Sequence, residues 1–321
     1  MAGSLDHLDR RIVSALQIDG RASWHRIADA LRAPERTVTR RGNRLLDSGL
    51  VKVGAVVFRG RNAVIGVCCA PGQARVAASA LARRPDTIFT HVLAGSPDCI
   101  AELSCLRERL SSLVLDELPG IPGMVSTSTQ PVLRHIRTIR EWHPGLLTDD
   151  EVSALGDAYR PQAASLFAEG EDLPRQERLL AQALADDGRC TYDELARFAG
   201  MSEATARRRL DALRREGRIR IRAVVDPALL GLPVEAMLWV RTKPVHVDAV
   251  AAALQESPYV RYASFITGER QILVNVALPS DEALHDFITQ ASWLERVESV
   301  ETSMILNSLK RGGVLAAKLR D

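Results

Sequence analysis

Two stretches of this chain combine hydroxyl-bearing residues with arginines at the spacing of one helix face. Thr37, Thr39, Arg40, Arg41 and Arg44 form the first, and Ser202, Thr205, Arg208 and Arg209 form the second. Small hydroxyls at the start of a helix can approach phosphate oxygens, and an arginine fork pairs bidentately with guanine or phosphate. The chemistry on offer is recognition of double-stranded DNA. Arginines on a helix also serve as an ordinary solvated face. Two copies of the pattern, each behind a capped helix and a turn, favour the DNA reading.

Residues for covalent chemistry are sparse. The sequence has no His-Glu-x-x-His, no Gly-x-Ser-x-Gly, no phosphate loop and no dinucleotide-binding glycine pattern. Its five cysteines, Cys68, Cys69, Cys99, Cys105 and Cys190, show no C-x-x-C spacing. Neither a metal site nor a redox pair is expected, and no cofactor or catalytic residue is assigned. His91 lies alone in an apolar, strand-like segment.

An internal repeat sets the elements that must position the arginines. Asp19-Gly20-Arg21 recurs as Asp187-Gly188-Arg189, an offset of 168. Without a gap the same offset pairs Thr37 with Thr205, Arg40-Arg41 with Arg208-Arg209, and Ala55-Val56-Val57 with Ala223-Val224-Val225. Two copies with a long gap between them indicate a domain duplication rather than a solenoid.

In the second copy Leu179, Leu180, Ala183 and Leu184 have helical spacing. Thr191 with Glu194 makes a capping box for a second helix, Gly200-Met201 makes a turn, and Ser202 caps a third helix that Gly217 ends. Ile219, Ile221 and Ala223 then alternate with Arg218, Arg220 and Arg222, a strand with one basic face. Helix, turn, helix and strand make a winged helix-turn-helix unit. The first copy repeats it, with Ser23 as a cap and Ala33-Pro34 opening the third helix. Gly42 stands where the second copy has Leu210. Glycine there costs about 1 kcal/mol relative to alanine and removes a core contact, so the first copy is expected to be the weaker reader.

Behind each unit comes a βαββαβ pattern of the ferredoxin-like kind. In the second copy it runs through Val234–Thr242, Val247–Gln255, Val260–Thr267, Gln271–Leu278, a helix ending at Ala291, and Val297–Leu306. In the first copy it runs through Ala63–Cys69, Ala74–Arg83, Thr87–Leu93, Asp98–Cys105, Arg107–Leu118 and Met124–Leu133. The strands are apolar on both faces, so the two sheets are expected to cover one another. The fold class expected is α+β, with two winged helix-turn-helix domains and two ferredoxin-like domains in an A–B–A′–B′ tandem. Residues 1–58 and 174–226 are the helix-turn-helix domains, 59–142 and 227–321 the ferredoxin-like domains. Residues 143–173 form a linker with a short helix over Asp149–Tyr159.

The 42 lysines and arginines nearly balance the 40 aspartates and glutamates, which excludes a uniformly basic chain but not local basic surfaces. The N-terminus does not read as a signal peptide, and apolar runs such as 63–70 are too short to span a bilayer. A cytoplasmic protein without membrane contact is expected.

Ser202 to Leu213, then Glu216-Gly217-Arg218-Ile219 and Ala223-Val224-Val225-Asp226, then Leu229-Leu230-Gly231 before a βαββαβ domain, resemble the Lrp/AsnC (feast/famine) transcription regulators. The resemblance covers nearly the whole chain twice. It implies a small-molecule effector of the amino-acid class and a homo-oligomer; because the two recognition helices differ, the operator is expected to be an imperfect palindrome. It also implies a ligand region at Gly95, Asp98, Thr127 and Thr129 in one half and Gly268, Arg270, Gln271, Thr302 and Ser303 in the other. The acid of the first half is Gln271 in the second. A rival resemblance is to siroheme decarboxylases, enzymes of tetrapyrrole biosynthesis, for which His91 is the best candidate proton donor.

Overall fold

The computed structural model describes residues 5–57, 61–105, 107–139, 142–156 and 173–316. The first half gives α1 (His7–Ile18), α2 (Trp24–Leu31), α3 (Glu35–Asp47), β1 (Lys52–Val57), β2 (Arg61–Cys69), α4 (Ala74–Arg83), β3 (Thr87–Leu93), β4 (Cys99–Cys105) and β5 (Met124–Arg137). Next comes α5 (Asp149–Gly156). The second half gives α6 (Arg175–Asp186), α7 (Tyr192–Ala199), α8 (Glu203–Arg215), β6 (Ile219–Val224), β7 (Val234–Thr242), α9 (Val247–Glu256), β8 (Val260–Ile266), β9 (Ile272–Leu278), α10 (Asp281–Thr289) and β10 (Val297–Arg311). These elements sort into two units, each drawing on both halves of the sequence.

The first unit holds residues 1–60, 145–225 and 312–317. Its helices start where polar side chains meet the free N–H groups of the first turn. Asp6 accepts from Asp9 N at 2.9 Å, Ser23 from Arg26 N at 3.2 Å, and Ser202 from Thr205 N at 3.3 Å. Thr191 and Glu194 form the full capping box. Each such cap is worth about 1 kcal/mol. β1 and β6 pair antiparallel, Lys52 opposite Val224 and Val56 opposite Arg220. Under the 168 offset these two pairs exchange, so the ribbon has twofold register. α5 packs on α1 and α2. Glu151 pairs with Arg11, and Arg26 donates to Ala154 O at 2.9 Å. The helix expected to reach Tyr159 is described only to Gly156; residues 157–172 lie outside the described residues.

The second unit holds residues 61–144 and 226–311. β3, β4, β2 and β5 pair antiparallel in that order, as do β8, β9, β7 and β10. β5 also pairs with β8, and β10 with β3, so the eight strands close on themselves. Closure is twofold as well. Val132↔Ile266 and His135↔Ser264 recur as Ile305↔Leu93 and Ser308↔His91, an offset of 173.

Alternate residues face two different cores, as the strand period of two requires. Ala236, Leu238, Val240, Ile272 and Val274 pack under α9 and α10. Val64, Phe89 and Ile100 of the first half meet Met237, Trp239, Tyr262 and Leu273 of the second between the sheets. Full burial of one such side chain stabilises by about 1.5–3 kcal/mol. The helix expected over Arg107–Leu118 is instead a series of short 3-10, α and π turns through Gly120. Pro119 lacks an N–H and bears only on the last of these turns, where it occupies a first-turn position that needs no donor.

Candidate nucleic-acid interface and effector region

Val38, Gly42 and Leu45 on α3, and Ala206, Leu210 and Leu213 on α8, face the core of the first unit. The remaining faces carry the residues expected to meet DNA. Arg40, Arg44, Ser202 and Arg208 are exposed; Thr37, Thr39, Arg41, Thr205 and Arg209 are half-buried. Arg41 is held by Asp6 and by Asp9, the latter at 3.0 Å, and Arg44 reaches Asp9 at 2.6 Å. Hydrogen bonding from Arg41 holds the Asp6 carboxyl below its ordinary value. Arg209 approaches Glu177 at 3.8 Å, the same arrangement one repeat later. Arg41 and Arg209 thus tie each recognition helix to the helix that opens its unit. Arg40 and Arg208 instead extend their heads into solvent.

The repeated Asp-Gly-Arg has a physical role that the sequence alone did not reveal. Arg21 donates to Gly188 O and Cys190 O, both at 2.9 Å, and its guanidinium lies 4.9 Å from the Tyr192 ring. Arg189 donates to Gly20 O at 2.7 Å and Ala22 O at 3.1 Å, and lies 4.6 Å from the Trp24 ring. Gly20 N donates to Ile221 O and Gly188 N to Val53 O, at 3.1 and 2.9 Å. Both glycines are needed. A Cβ at Gly20 would meet Arg222 backbone at 2.9 Å, and one at Gly188 would meet Ile221 at 2.9 Å. This reciprocal clasp, with the β1–β6 ribbon, fixes the two helix-turn-helix segments to each other.

Two expectations about the first unit change. The basic face of β6 is not a free surface. Arg222 is fully buried and Arg220 donates to Ile18 O at 3.3 Å, because β6 pairs with β1 and packs against α1. Gly42 also leaves no gap. A Cβ there would lie 2.3 Å from the Trp24 indole, which fills the place that Leu210 fills in the second copy. The turn before α3 puts Arg32 in the left-handed region at φ 51°, where the second copy has Gly200 at 65°.

In the second unit the two glycine turns lie against the opposite half. Gly95, at φ 129°, would bring a Cβ to 3.5 Å from Ser303 Oγ, and Gly268, at φ 117°, to 3.1 Å from Gln130 Nε2. Asp98 accepts Cys69 N at 2.7 Å, and Gln271 accepts Thr242 N at 3.2 Å. The two sites are equivalent, so exchange of acid for amide preserves one structural hydrogen bond. Arg270 pairs with Glu301. Thr127 is exposed and Thr302 half-buried. Ser303 is buried, and the Thr129 hydroxyl is buried without a partner among the described residues.

Between the sheets lies a polar cluster that sequence reasoning did not assemble. Glu102 accepts from Asn62 at 2.7 Å and from Tyr262 at 3.1 Å, and His135 Nδ1 lies 2.7 Å from Ser264 Oγ. Glu235 accepts from Arg261 at 2.6 Å and from Arg311 at 2.6 and 2.5 Å. Burial works against the Glu235 charge, but Arg311 and Arg261 prevail and hold the carboxyl at about 2. His91 stacks on Phe89 at 5.0 Å; burial and the nearby Arg311 push it down to about 3. It is neutral at physiological pH and does not hold the proton that a general acid would deliver.

Residues 235–315 match the family model for the Lrp/AsnC ligand binding domain. Residues 5–46 match the AsnC-type helix-turn-helix domain, and 175–220 a winged helix-turn-helix DNA-binding domain. An uncharacterized HTH-type transcriptional regulator of Pyrococcus horikoshii is 31% identical over 144 residues, covering 44% of this chain and 90% of that protein. The HTH-type transcriptional regulator FL11 of Pyrococcus furiosus is 27% identical over 143 residues, 44% of this chain and 95% of its own. The solved structure of the siroheme decarboxylase NirDL aligns over 97% of this chain and 94% of its own with a TM-score of 0.60 at 13% identity, a likeness of fold. Among the described residues no helix is long and apolar enough to cross a membrane, and no group of side chains has the makings of a metal site.

Proposed function

This chain belongs to the Lrp/AsnC family of helix-turn-helix transcription regulators, and from that premise we propose that a single chain carries a complete two-headed DNA reader in an A–B–A′–B′ tandem. The observation that carries the reading is the reciprocal Arg21–Arg189 clasp with its twofold ribbon. It joins two recognition helices inside one unit, an arrangement that otherwise needs two chains. The operator is an imperfect palindrome whose half-sites lie about one helical turn, roughly 34–36 Å, or a multiple apart. Arg40 and Arg208 meet base edges, while Ser202, Thr37, Thr205, Thr39 and Arg44 flank phosphates.

The second unit takes a small effector of the amino-acid class at the two glycine turns, with Thr127, Thr129, Thr302 and Ser303 supplying hydroxyls. Support comes from the position of each turn against the other half's last strand and from the orphaned Thr129 hydroxyl. Such an effector acts by binding two arrangements of the chain with different affinity, and higher homo-oligomers form from these chains.

The test is footprinting of an operator selected from random duplexes, with the chain's mass on DNA measured in the same complex. Two protected half-sites per chain are expected, with affinity falling steeply as salt rises. One half-site per chain overturns the two-headed reading. A thermal-shift screen of amino acids tests the effector, and no shift with any of them overturns that part alone.

A further inference from the structure

The recognition helices are equivalent in fold but unlike on the ridge that leaves the core. With Val38, Gly42 and Leu45 buried on α3, the opposite ridge of a 3.6-residue helix runs through positions 36, 40, 43 and 47. On α8 it runs through 204, 208, 211 and 215. The first ridge reads Arg36, Arg40, Asn43, Asp47, and the second reads Ala204, Arg208, Asp211, Arg215. Positions 36 and 204 lie in the first turn of their helices, the part of a recognition helix that reaches base edges. Arg36, Arg40, Ala204 and Arg208 are all exposed, and no acidic side chain among the described residues engages any of the three arginines. The next position offers no such freedom in the second copy. Arg207 stacks over Tyr192 at 4.5 Å and pairs with Glu203 at 3.4 Å.

An exposed arginine on this ridge pairs bidentately with guanine O6 and N7, whereas an alanine methyl packs against the thymine methyl. We propose that Arg36 and Ala204 are the specificity-determining pair that makes the operator unequal. Arg36 reads a guanine in one half-site, Ala204 meets a thymine in the same column of the other, and Arg40 and Arg208 read guanine in a column common to both. The inference rests on the two-headed reading. The clasp and the twofold ribbon, which relate the helices by one symmetry, make the two columns equivalent.

The experiment is selection of bound duplexes from a random pool by the full chain, by Arg36→Ala and by Ala204→Arg. Both substitutions are at exposed positions, and equal melting temperatures confirm that all three proteins fold. The wild-type motif is expected to match between half-sites in one column and to differ, guanine against thymine, in a second. Ala204→Arg is expected to yield guanine in both half-sites and to bind that symmetric duplex about tenfold more tightly than wild type does. Arg36→Ala loses the guanine from one half-site alone. A wild-type motif already symmetric in every column, or one unchanged by Ala204→Arg, overturns the assignment while leaving the two-headed reader standing. Failure of all three proteins to enrich any sequence at low salt overturns the reader itself, and the assignment with it.

Discussion

Replacing Gly42 by alanine separates helix propensity from packing. In an exposed helix interior the change stabilises by about 1 kcal/mol. Here the added Cβ would stand 2.3, 2.4 and 2.9 Å from three atoms of the Trp24 ring. That ring is itself held under the Arg189 guanidinium, so it has little room to retreat. Overpacking costs about 1–3 kcal/mol. The net expectation is a loss of up to about 2 kcal/mol, read as a lower urea midpoint for the full chain by circular dichroism. A second arm supplies the control. Gly42→Leu with Trp24→Tyr rebuilds the Leu210 and Tyr192 pair of the second copy. The double variant is expected to be more stable than Gly42→Leu alone, a favourable coupling between neighbours. If Gly42→Ala raises stability, Trp24 does not occupy the space and the packing described for this copy is wrong.

Arg32→Gly relieves a left-handed arginine and is expected to stabilise by about 1 kcal/mol in the same unfolding assay. Arg40→Ala and Arg208→Ala are expected to weaken operator binding at fixed salt with little change in melting temperature. Arg41→Ala also lowers stability, because it releases Asp6 and leaves Asp9 with Arg44 alone. Arg189→Ala removes two hydrogen bonds and a ring contact of the clasp, and is expected to cost about 2–4 kcal/mol on denaturant unfolding. His91 titrates at 6.5 when unfolded and about 3 when folded. The unfolded chain therefore takes up its proton first, and stability falls as pH drops below 6.5. The loss at pH 5 is about 2 kcal/mol. Glu235, depressed to about 2, loses its contribution only below about pH 4.5, whereas His25, raised by its hydrogen bond to Glu35, adds stability of opposite sign as pH falls through the same window, so the comparison of wild type with a His91 variant isolates His91. His91→Asn is expected to flatten that slope; an unchanged slope refutes the assignment.

Local patterns placed most elements because caps and periodicity act over a few residues. Thr191 with Glu194 and the short, largely apolar run in Val234–Thr242 are of this kind. What escaped depends on the other half of the chain. β5 and β10 run beyond Leu133 and Leu306, since their last residues pair with β8 and β3. The arginines of β6 read as a basic face because nothing in that strand announces the partner strand that buries Arg222. By sequence, Asp98 and Gln271 both read as effector ligands that differ in charge; the hydrogen bond that each makes to a backbone N–H of the neighbouring strand is a feature they share that spacing did not reveal. Among the arginines of α3 and α8, spacing alone did not separate Arg41 and Arg209, which brace the unit, from Arg40 and Arg208, which face out.

The polar cluster between the sheets bears on how such a chain changes over generations. When a ring of strands is closed by two identical polypeptides, every substitution appears twice and must suit both places at once. Here the hydroxyl that reaches Glu102 belongs to Tyr262, whose counterpart in the other half is Phe89, and the counterpart of Glu102 is Asn275. Two copies of the first half would set Phe89 beside Glu102 and offer it no hydroxyl. Two copies of the second would leave Tyr262 facing an amide. In a single chain the two lobes are free to differ, so the hydroxyl of Tyr262 in one lobe serves the carboxylate of Glu102 in the other.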